Sequence, residues 1–297
     1  FNYYFNSYFY SAITANYSFK LFTKTRYDSV GLYVSGFNTG TMDLLKDILD
    51  RIQKGIKLND DQYESFLENY KLGLENMKFI PPRALSSYLM NLQLQENTYH
   101  YTTLLDEISK ITITDLKKYK LFNNTKIRMF TFGNIKLSTK NIFDKFTIQP
   151  DKIKSHSYKN LKSISVKHPN PDEKNDFVGF YYHVGKFNPD IYANLLVLVT
   201  ILSEPFFDKL RTKEQLGYLV SLSQSVRLSN FFVSMEVQSN VKDCDYLVKR
   251  IKKFVENSTG TLEKVTIKEL DEIKESIIKN LSEKDKTMES QFHRLWS

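Results

Sequence analysis

The chain has 297 residues, 41% of them hydrophobic and 14% aromatic, which is enough to bury two cores and excludes disorder over most of the length. Ten glycines and seven prolines exclude collagen-like and glycine-rich linker proteins. The single cysteine, Cys244, excludes an internal disulfide and a cysteine-based zinc site, and it favours a reducing compartment such as the cytoplasm. The longest apolar run, 195–202, is too short to cross a membrane, so no transmembrane helix is expected.

Hydrophobic periodicity predicts interleaved strands and helices. Apolar residues in dense or alternating runs predict strands at 17–21, 30–34, 127–131, 177–184, 218–222 and 231–237. Helical spacing predicts helices at 42–52, 63–77, 191–202, 246–255 and 270–281. Thr266 and Glu269 form a capping box before the last helix, and Pro81-Pro82 stops the second. The order is typical of an α/β or α+β fold.

A lysine-rich polar stretch lies between the two halves and contains Pro169 and Pro171. It is interpreted as a solvated linker, with a polyanion-binding strip as the alternative. The formal net charge of +8 also invites a nucleic-acid interpretation. However, the 34 lysines are dispersed and there are only 8 arginines, which disfavours specific nucleic-acid recognition.

The two halves share an internal repeat. When 66–92 is superimposed on 270–296, Phe66 falls on Leu270 and Met77 on Leu281, although Leu85 falls on Glu289. The strand and helix at 177–202 have a counterpart expected before residue 1. The helix and strand at 101–135 have one expected after residue 297. The repeat therefore predicts that the chain is a segment of a longer polypeptide.

No self-contained metal or nucleotide motif is present in the sequence. The five histidines occur singly, without the His-x-x-x-His or His-x-x-Glu-His spacing that a zinc site needs. GxSxG, CxxC and glycine-rich phosphate loops are also absent. Each histidine is therefore predicted to be structural or solvated.

The segment 203–218 has the clearest chemical potential. Ser203 is predicted to cap a short helix with Pro205 in its first turn, Thr212 and Gln215 to form a second capping box, and Gly217 to supply a left-handed C-cap. This arrangement would bring Arg211 and Tyr218 to the two ends of one tight turn, where both could donate hydrogen bonds to a peptide carbonyl. The alternative is that Arg211 is a surface charge and Tyr218 a core ring, on the same face as Val220 and Leu222.

The run Arg211-Thr-Lys-Glu-Gln-Leu-Gly-Tyr218, preceded by Glu204-Pro205-x-Phe207-x-x-Leu210, resembles the C-terminal half of the insulinase (pitrilysin) family of zinc metallopeptidases. Weaker similarities follow in the same order along nearly the whole chain: Tyr33–Asn38, Phe132-Gly133-Asn134 and Tyr181–Gly185. The resemblance implies four related α+β units per enzyme, in two halves that close around a peptide.

On this resemblance we expect two tandem insulinase-type units, each an antiparallel sheet covered by helices and each incomplete. Residues 1–150 would form the third unit without its opening strand and helix, 151–172 a basic linker, and 173–297 the fourth unit without its end. The family's zinc site, an inverted His-x-x-Glu-His motif with a further glutamate, is missing from this chain. Arg211 and Tyr218 match residues that reach the substrate near the zinc.

The expected function is that of the C-terminal, non-zinc-binding half of a zinc endopeptidase, inactive by itself. The resemblance implies that its partner half binds zinc, whose bound water attacks the scissile carbonyl, while this half closes the chamber around a peptide substrate. Basic residues in this half are associated with polyanion sensitivity. The alternatives are a catalytically inactive scaffold or peptide-binding subunit and, less favoured, a basic nucleic-acid-binding scaffold. Membrane association is not expected.

Overall fold

The computed structural model describes residues 2–24, 29–55, 57–95, 98–119, 129–135, 162–186, 188–227 and 230–296. Contacts divide the chain into two compact units. Unit 1 comprises Phe1–Met77, Gln95–Ser157 and Asp285–Ser297, and unit 2 comprises Lys78–Leu94 and Tyr158–Lys284. The division into 1–150, 151–172 and 173–297 follows the chain rather than these contacts, and it stays a prediction.

Helices and antiparallel strands alternate along the described residues, which confirms the α+β class. The elements are α1 (Asn2–Tyr8), α2 (Tyr10–Thr14), β1 (Ser18–Lys24), β2 (Ser29–Ser35), α3 (Asn38–Lys54), α4 (Asp60–Glu75), α5 (Pro82–Leu94), α6 (Tyr101–Ile108), α7 (Ile113–Lys118), β3 (Asp176–Lys186), α8 (Pro189–Phe207), β4 (Leu219–Arg227), β5 (Asn230–Ser239), α9 (Cys244–Leu262), α10 (Ile267–Ser282) and α11 (Met288–Trp296). A 3₁₀ turn, Asn76–Phe79, follows α4, and a π-helical turn, Asp208–Lys213, follows α8.

Unit 1 is organised around an aromatic core beneath the β1–β2 hairpin. Phe5 of α1 and Ile48 of α3 are fully buried, and Phe19, Leu32 and Val34 pack against them from the strands. The ring of Phe5 meets that of Phe19 edge-on at 6.3 Å between centroids. The alternation predicted for both strands is therefore confirmed, because the apolar residues of the hairpin face this core.

The strand predicted at 127–131 is not found where the structure describes it. Ile127 lies outside the described residues, and 129–135 forms neither helix nor strand. Here the rings of Phe130 and Phe132 lie 5.3 and 6.5 Å from Phe292 of α11, and Trp296 lies 5.6 Å from Phe130. Phe130 and Phe132, which alternate with the residues Met129 and Thr131 that predicted the strand, thus pack against a helix.

Unit 2 contains a three-stranded antiparallel sheet in the order β3-β5-β4. One face of the central strand, with Phe231 and Val237, packs against α8 and α9 through fully buried Phe206, Leu247 and Ile251. Burial of each of these side chains contributes roughly 1.5–3 kcal/mol of hydrophobic stabilisation to the unit.

Helix α5 supplies residues that pack on the opposite face of the same sheet. Met90 and Leu94 pack against Phe232, and the Arg83 Nε lies 2.8 Å from the buried Glu236 carboxylate. The Tyr181 hydroxyl donates to Glu236 Oε1 at 3.1 Å, and burial is the main cause that raises the pKa of this tyrosine. A carboxylate inside this face is tolerated because it has a cation and a hydroxyl donor.

The order of elements supports the predicted duplication. A hairpin followed by three helices occurs as β1-β2-α3-α4-α5 and again as β4-β5-α9-α10-α11. The middle helix of each set begins with a capping box: Asn59 with Gln62 in α4, and Thr266 with Glu269 in α10 as predicted. Hydrogen bonds from Thr266 hold the pKa of Glu269 below its usual value.

Among the described residues one helical stretch, Pro189–Lys213, is long and apolar enough to cross a membrane. The sequence predicted no transmembrane helix, because the apolar run 195–202 is by itself too short to cross a membrane. In the structure Leu195, Val199 and Leu202 of this stretch are buried in the core of unit 2. Length and composition alone are weak evidence for a span, because the core helix of a water-soluble protein meets the same criteria.

Gly217 lies close to the backbone of β5, at the point where the chain enters β4. A Cβ built on it would lie 1.8 Å from the backbone carbonyl oxygen of Gln238 in β5, so no side chain fits. The predicted role of Gly217 as a left-handed C-cap is wrong, because the residue with positive φ in this turn is Gln215, at 49°. Glycine is needed for proximity rather than for its backbone conformation.

Gly217→Ala is expected to lower the free energy of unfolding by at least about 3 kcal/mol, since the neighbour that must move is backbone. Urea denaturation measures this change. The matched control is Gly260→Ala in α9, where a Cβ meets open space and the helix gains about 0.5–1 kcal/mol. Equal stability of wild type and Gly217→Ala would contradict the close approach.

Candidate functional site

The candidate site begins where α8 continues into the π-helical turn Asp208–Lys213. The predicted short helix capped by Ser203 is wrong: α8 begins after Asn188, whose side chain accepts hydrogen bonds from the amides of Asp190 and Ile191. Ser203 lies inside α8, and its hydroxyl donates to the Thr200 carbonyl at 3.4 Å. Leu202 and Phe206 are both buried and belong to the apolar stripe of α8 on either side of Pro205. Because this stripe is continuous, α8 runs through Pro205 and no new helix begins at that residue.

The turn after α8 is closed by backbone hydrogen bonds of wide span. The Glu214 amide donates to the Lys209 carbonyl and the Leu216 amide to the Leu210 carbonyl, both at 3.0 Å. Thr212 lies within the π-helical turn, so the capping box predicted for it with Gln215 is not formed. Such single π turns are frequent at functional sites.

Three side chains anchor this turn to unit 2. Leu210 and Leu216 are fully buried. The Glu214 carboxylate accepts a hydrogen bond from Arg250 Nε at 2.6 Å and a second, short one from Arg250 Nη2. These hydrogen bonds raise the pKa of Arg250. Two apolar anchors and a bidentate ion pair therefore fix the turn to α9, which carries Arg250.

Arg211 and Tyr218 lie together on the outer side of this anchored turn. The guanidinium carbon of Arg211 is 5.0 Å from the ring centroid of Tyr218 and 5.3 Å from that of Phe207, within the range of cation–π attraction. Tyr218 is 85% exposed, so its alternative interpretation as a core ring is wrong. Within the described residues, neither the Tyr218 hydroxyl nor the Arg211 guanidinium has a hydrogen-bond partner. Both are hydrogen-bond donors available to a ligand.

The corresponding tyrosine of the other hairpin has a different environment. Tyr17 immediately precedes β1, as Tyr218 precedes β4. Tyr17 is half-buried, packs against the core of unit 1 and lies 6.2 Å from the ring of Phe37. A tyrosine at this position can therefore be accommodated by packing, and the exposure of Tyr218 is not imposed by the hairpin.

In the part of the chain that the structure describes, no group of three or more histidine, cysteine, aspartate or glutamate side chains could hold a metal ion. His100 caps α6, His168 Nε2 lies 3.0 Å from the Ile80 carbonyl oxygen, and His183 bonds the Asn230 side chain. These three have structural partners as predicted, whereas His293 lies 3.9 Å from Glu289 on an exposed helix. His156 lies outside the described residues, as does the first half, 151–161, of the predicted linker 151–172.

Sequence reasoning missed Arg250 and Phe207 as members of this site. Arg250 lies on another helix, and only its pairing with Glu214 connects it to the turn. Phe207 directly precedes the π-helical turn, and the path of this turn brings Arg211 beside the Phe207 ring. The resemblance over 204–218 includes Phe207 but gives it no role, and Arg250 lies outside that run.

Comparison with known proteins gives matches over most of the chain. Residues 1–107 match the model of the middle or third domain of peptidase M16, and residues 197–296 match that of the PQQ synthase PqqF-like C-terminal lobe domain 4. The chain is 28% identical over 290 residues to a nardilysin-like protein of Arabidopsis thaliana, covering 91% of this chain and 28% of that protein. It is 26% identical over 310 residues to the insulin-degrading enzyme of Drosophila melanogaster, covering 98% of this chain and 31% of that protein.

The fold is similar to that in the crystal structure of pitrilysin. The TM-score is 0.78 at 15% identity, over 94% of this chain and 30% of the pitrilysin chain. The chain thus spans less than a third of the length of the nardilysin-like and insulin-degrading relatives.

Glu214→Gln is expected to loosen the turn, because Arg250 keeps its charge but loses its ionic partner, at a cost of about 1–1.5 kcal/mol. Limited proteolysis with trypsin after Lys209, Arg211 and Lys213 should then proceed about five- to tenfold faster. Glu204→Gln on the exposed side of α8 serves as the control and should leave the rate unchanged. Equal rates for both variants would show that the ion pair does not anchor the turn.

Proposed function

Because this chain belongs to the insulinase (pitrilysin) family of peptidases, we propose that it is the C-terminal, non-zinc-binding part of a zinc-dependent endopeptidase. In this role the chain forms part of the wall of a closed chamber and contacts the peptide substrate. Zinc, which supplies Lewis-acid chemistry when bound, belongs to the N-terminal half in this proposal, since the described residues hold no suitable group of ligands.

The observation that carries the proposal is the pair of unpartnered donors on an anchored turn. The Tyr218 hydroxyl and the Arg211 guanidinium lie on the same side of unit 2 and are held by the buried Leu210 and Leu216. Preorganised donors of this kind stabilise negative charge that develops on a carbonyl oxygen during amide hydrolysis. In the proposed mechanism both groups donate to the substrate carbonyl or to the tetrahedral intermediate. The contacts of the Arg211 guanidinium with the Phe207 and Tyr218 rings limit its rotamers.

The alternative is an inactive insulinase-like scaffold or peptide-binding subunit built from the same units. It shares the exposed pair of donors and differs only in whether the remainder of the protein holds His-x-x-Glu-His. We further propose a cytoplasmic location, from the free Cys244, and peptide substrates rather than nucleic acid. Polyanion binding by the lysine-rich segment before β3 stays a prediction.

In the longer polypeptide, Arg211→Ala and Tyr218→Phe are each expected to lower kcat/KM for peptide hydrolysis by about tenfold or more, the loss typical of one oxyanion donor. The matched control is Tyr246→Phe, an exposed tyrosine of α9 with the Lys242 ammonium 4.9 Å from its ring. Wild-type kinetics in both test variants would leave Arg211 and Tyr218 without a catalytic role.

The 297-residue chain by itself is expected to bind no catalytic zinc and to hydrolyse no peptide, since its described residues offer no ligand cluster. Metal analysis of the purified chain and a fluorogenic peptide assay test this. Turnover that is zinc-dependent and abolished by a chelator in the isolated chain would contradict it.

A further inference from the structure

Helix α5 packs within unit 2, although the chain on both sides of it belongs to unit 1. Contacts assign Lys78–Leu94 to unit 2, whereas the chain up to Met77 and the chain from Gln95 belong to unit 1. Four residues that contact the sheet recur at intervals of three and four along one face of α5: Arg83, Ser86, Met90 and Leu94. The contacts of this face with the sheet therefore hold α5 in unit 2.

The polar end of this interface is a buried carboxylate with partners on α5 and β3. Glu236 of β5 is only 4% exposed, and its Oε1 accepts a hydrogen bond from the Tyr181 hydroxyl at 3.1 Å. Arg83 Nε lies 2.8 Å from Oε2, but this oxygen accepts no hydrogen bond from the described residues, so the contact is one of charge attraction. The Tyr181 hydroxyl oxygen also lies 3.4 Å from Ser86 Oγ of α5. These four residues, Arg83, Ser86, Tyr181 and Glu236, form what we call the polar lock.

The sheet has a glycine at the position that lets Tyr181 reach this carboxylate. Gly179 of β3 lies directly opposite Glu236 in the ladder between β3 and β5. A Cβ built on Gly179 would lie 2.7 Å from the Tyr181 ring and 2.9 Å from its hydroxyl oxygen, so the ring lies over the glycine backbone. Because position 179 has no side chain, the Tyr181 hydroxyl extends across the sheet to Glu236. The polar lock thus joins three elements, α5, β3 and β5.

Stability alone does not explain a charge pair at this place. An apolar pair of similar volume is often as stable as a buried ion pair, whereas removal of one partner leaves an uncompensated buried charge. The apolar part of the interface consists of Met90 and Leu94 against Phe232. The flexible side chain of methionine specifies a docked position poorly. The best-attested use of a buried ionic or polar group is to fix one register between packed elements.

The polar lock lies on the same strand as the contact that positions Tyr218. Glu236 and Gln238 are alternate residues of β5, about 6.8 Å apart along an extended strand. Gly217, which precedes Tyr218, packs against the carbonyl oxygen of Gln238. Ser221 of β4 lies directly opposite Glu236, so the lock and the beginning of β4 share one stretch of the ladder. A displacement of β5 at Glu236 is therefore transmitted to Gly217 and to the residue that follows it.

We propose that the polar lock couples the docking of α5 to the position of Tyr218, which makes Arg83 and Glu236 positioning residues of the candidate site. With α5 docked in register, the end of β5 is held where Gly217 packs against it, and Tyr218 leaves the sheet beside Arg211. When the lock is broken, α5 and the end of β5 lose this register and Tyr218 loses its fixed position. The inference rests on the proposed function only in treating Tyr218 as a functional donor, since the coupling itself requires neither zinc nor hydrolysis.

The test uses the 297-residue chain with 3-fluorotyrosine in place of Tyr218, because the fluorine NMR resonance reports the surroundings of that ring. The decisive variant combines Arg83→Met with Glu236→Leu. This apolar pair of similar volume should leave the midpoint of urea denaturation close to that of wild type. The Tyr181 hydroxyl, which loses Glu236 in this variant, keeps Ser86 Oγ as its partner.

The fluorine resonance in the double variant should shift or split, because α5 docks without a fixed register. The control is Val233→Ala, on the opposite, core-facing side of β5, which lowers stability without touching α5. Its resonance should stay at the wild-type position. A wild-type resonance in the double variant would overturn the proposal and leave the ion pair with a purely structural role. An equal shift in Val233→Ala would overturn it too, because any loss of stability would then move Tyr218.

Hydrogen exchange of Glu236→Gln, which keeps the shape of the side chain and removes its charge, gives a second measure. The amides of α5 and the protected amides of Leu219–Leu222 should exchange at least about tenfold faster than in wild type, since Arg83 loses its partner. Faster exchange confined to α5 would overturn the coupling.

The kinetics of the longer polypeptide separate this inference from the proposed function. If the fluorine resonance moves in the double variant but Tyr218→Phe keeps wild-type kinetics, the proposed function fails and the coupling stands. If Tyr218→Phe lowers kcat/KM and the resonance does not move, the reverse holds.

Discussion

The bidentate ion pair between Glu214 and Arg250 is the interaction on which the candidate site depends. A π-helical turn has a less favourable backbone geometry than an α-helix, so a six-residue turn at the surface needs tertiary support. Arg250 provides it from α9, while Leu210 and Leu216 fill the core from the turn itself. With these residues fixed, Arg211 and Tyr218 face outward without needing hydrogen-bond partners of their own.

The turn and the sheet edge depend on each other through Gly217. Its backbone lies against the end of β5, and this contact sets where β4 starts and therefore where Tyr218 leaves the sheet. The position of the Tyr218 side chain at the start of β4 thus depends on this backbone contact.

The strands of both hairpins and the helices α3 and α9 could be predicted from periodicity, because each has one face on a core, and the Thr266–Glu269 cap could be predicted from local chemistry. The turn at 203–218 could not, since Pro205 and Ser203 favour a helix start by local rules while buried Leu202 and Phe206 carry α8 past them. Tyr218 shares the alternation of Val220 and Leu222 and still lies in solvent, because it precedes the strand. The pairing of Glu214 with Arg250 is a contact between distant residues that no local pattern encodes.

The most direct test of the account is the intact mass and zinc content of the native polypeptide that carries this chain. The relatives are covered over only 28% and 31% of their lengths, so a polypeptide of about three times this length is expected, with one zinc ion bound outside the present residues. That result would assign the chain to the non-zinc half of a peptidase. A native polypeptide of only 297 residues, free of zinc, would contradict the account and leave Arg211 and Tyr218 as part of a peptide-binding or scaffold surface.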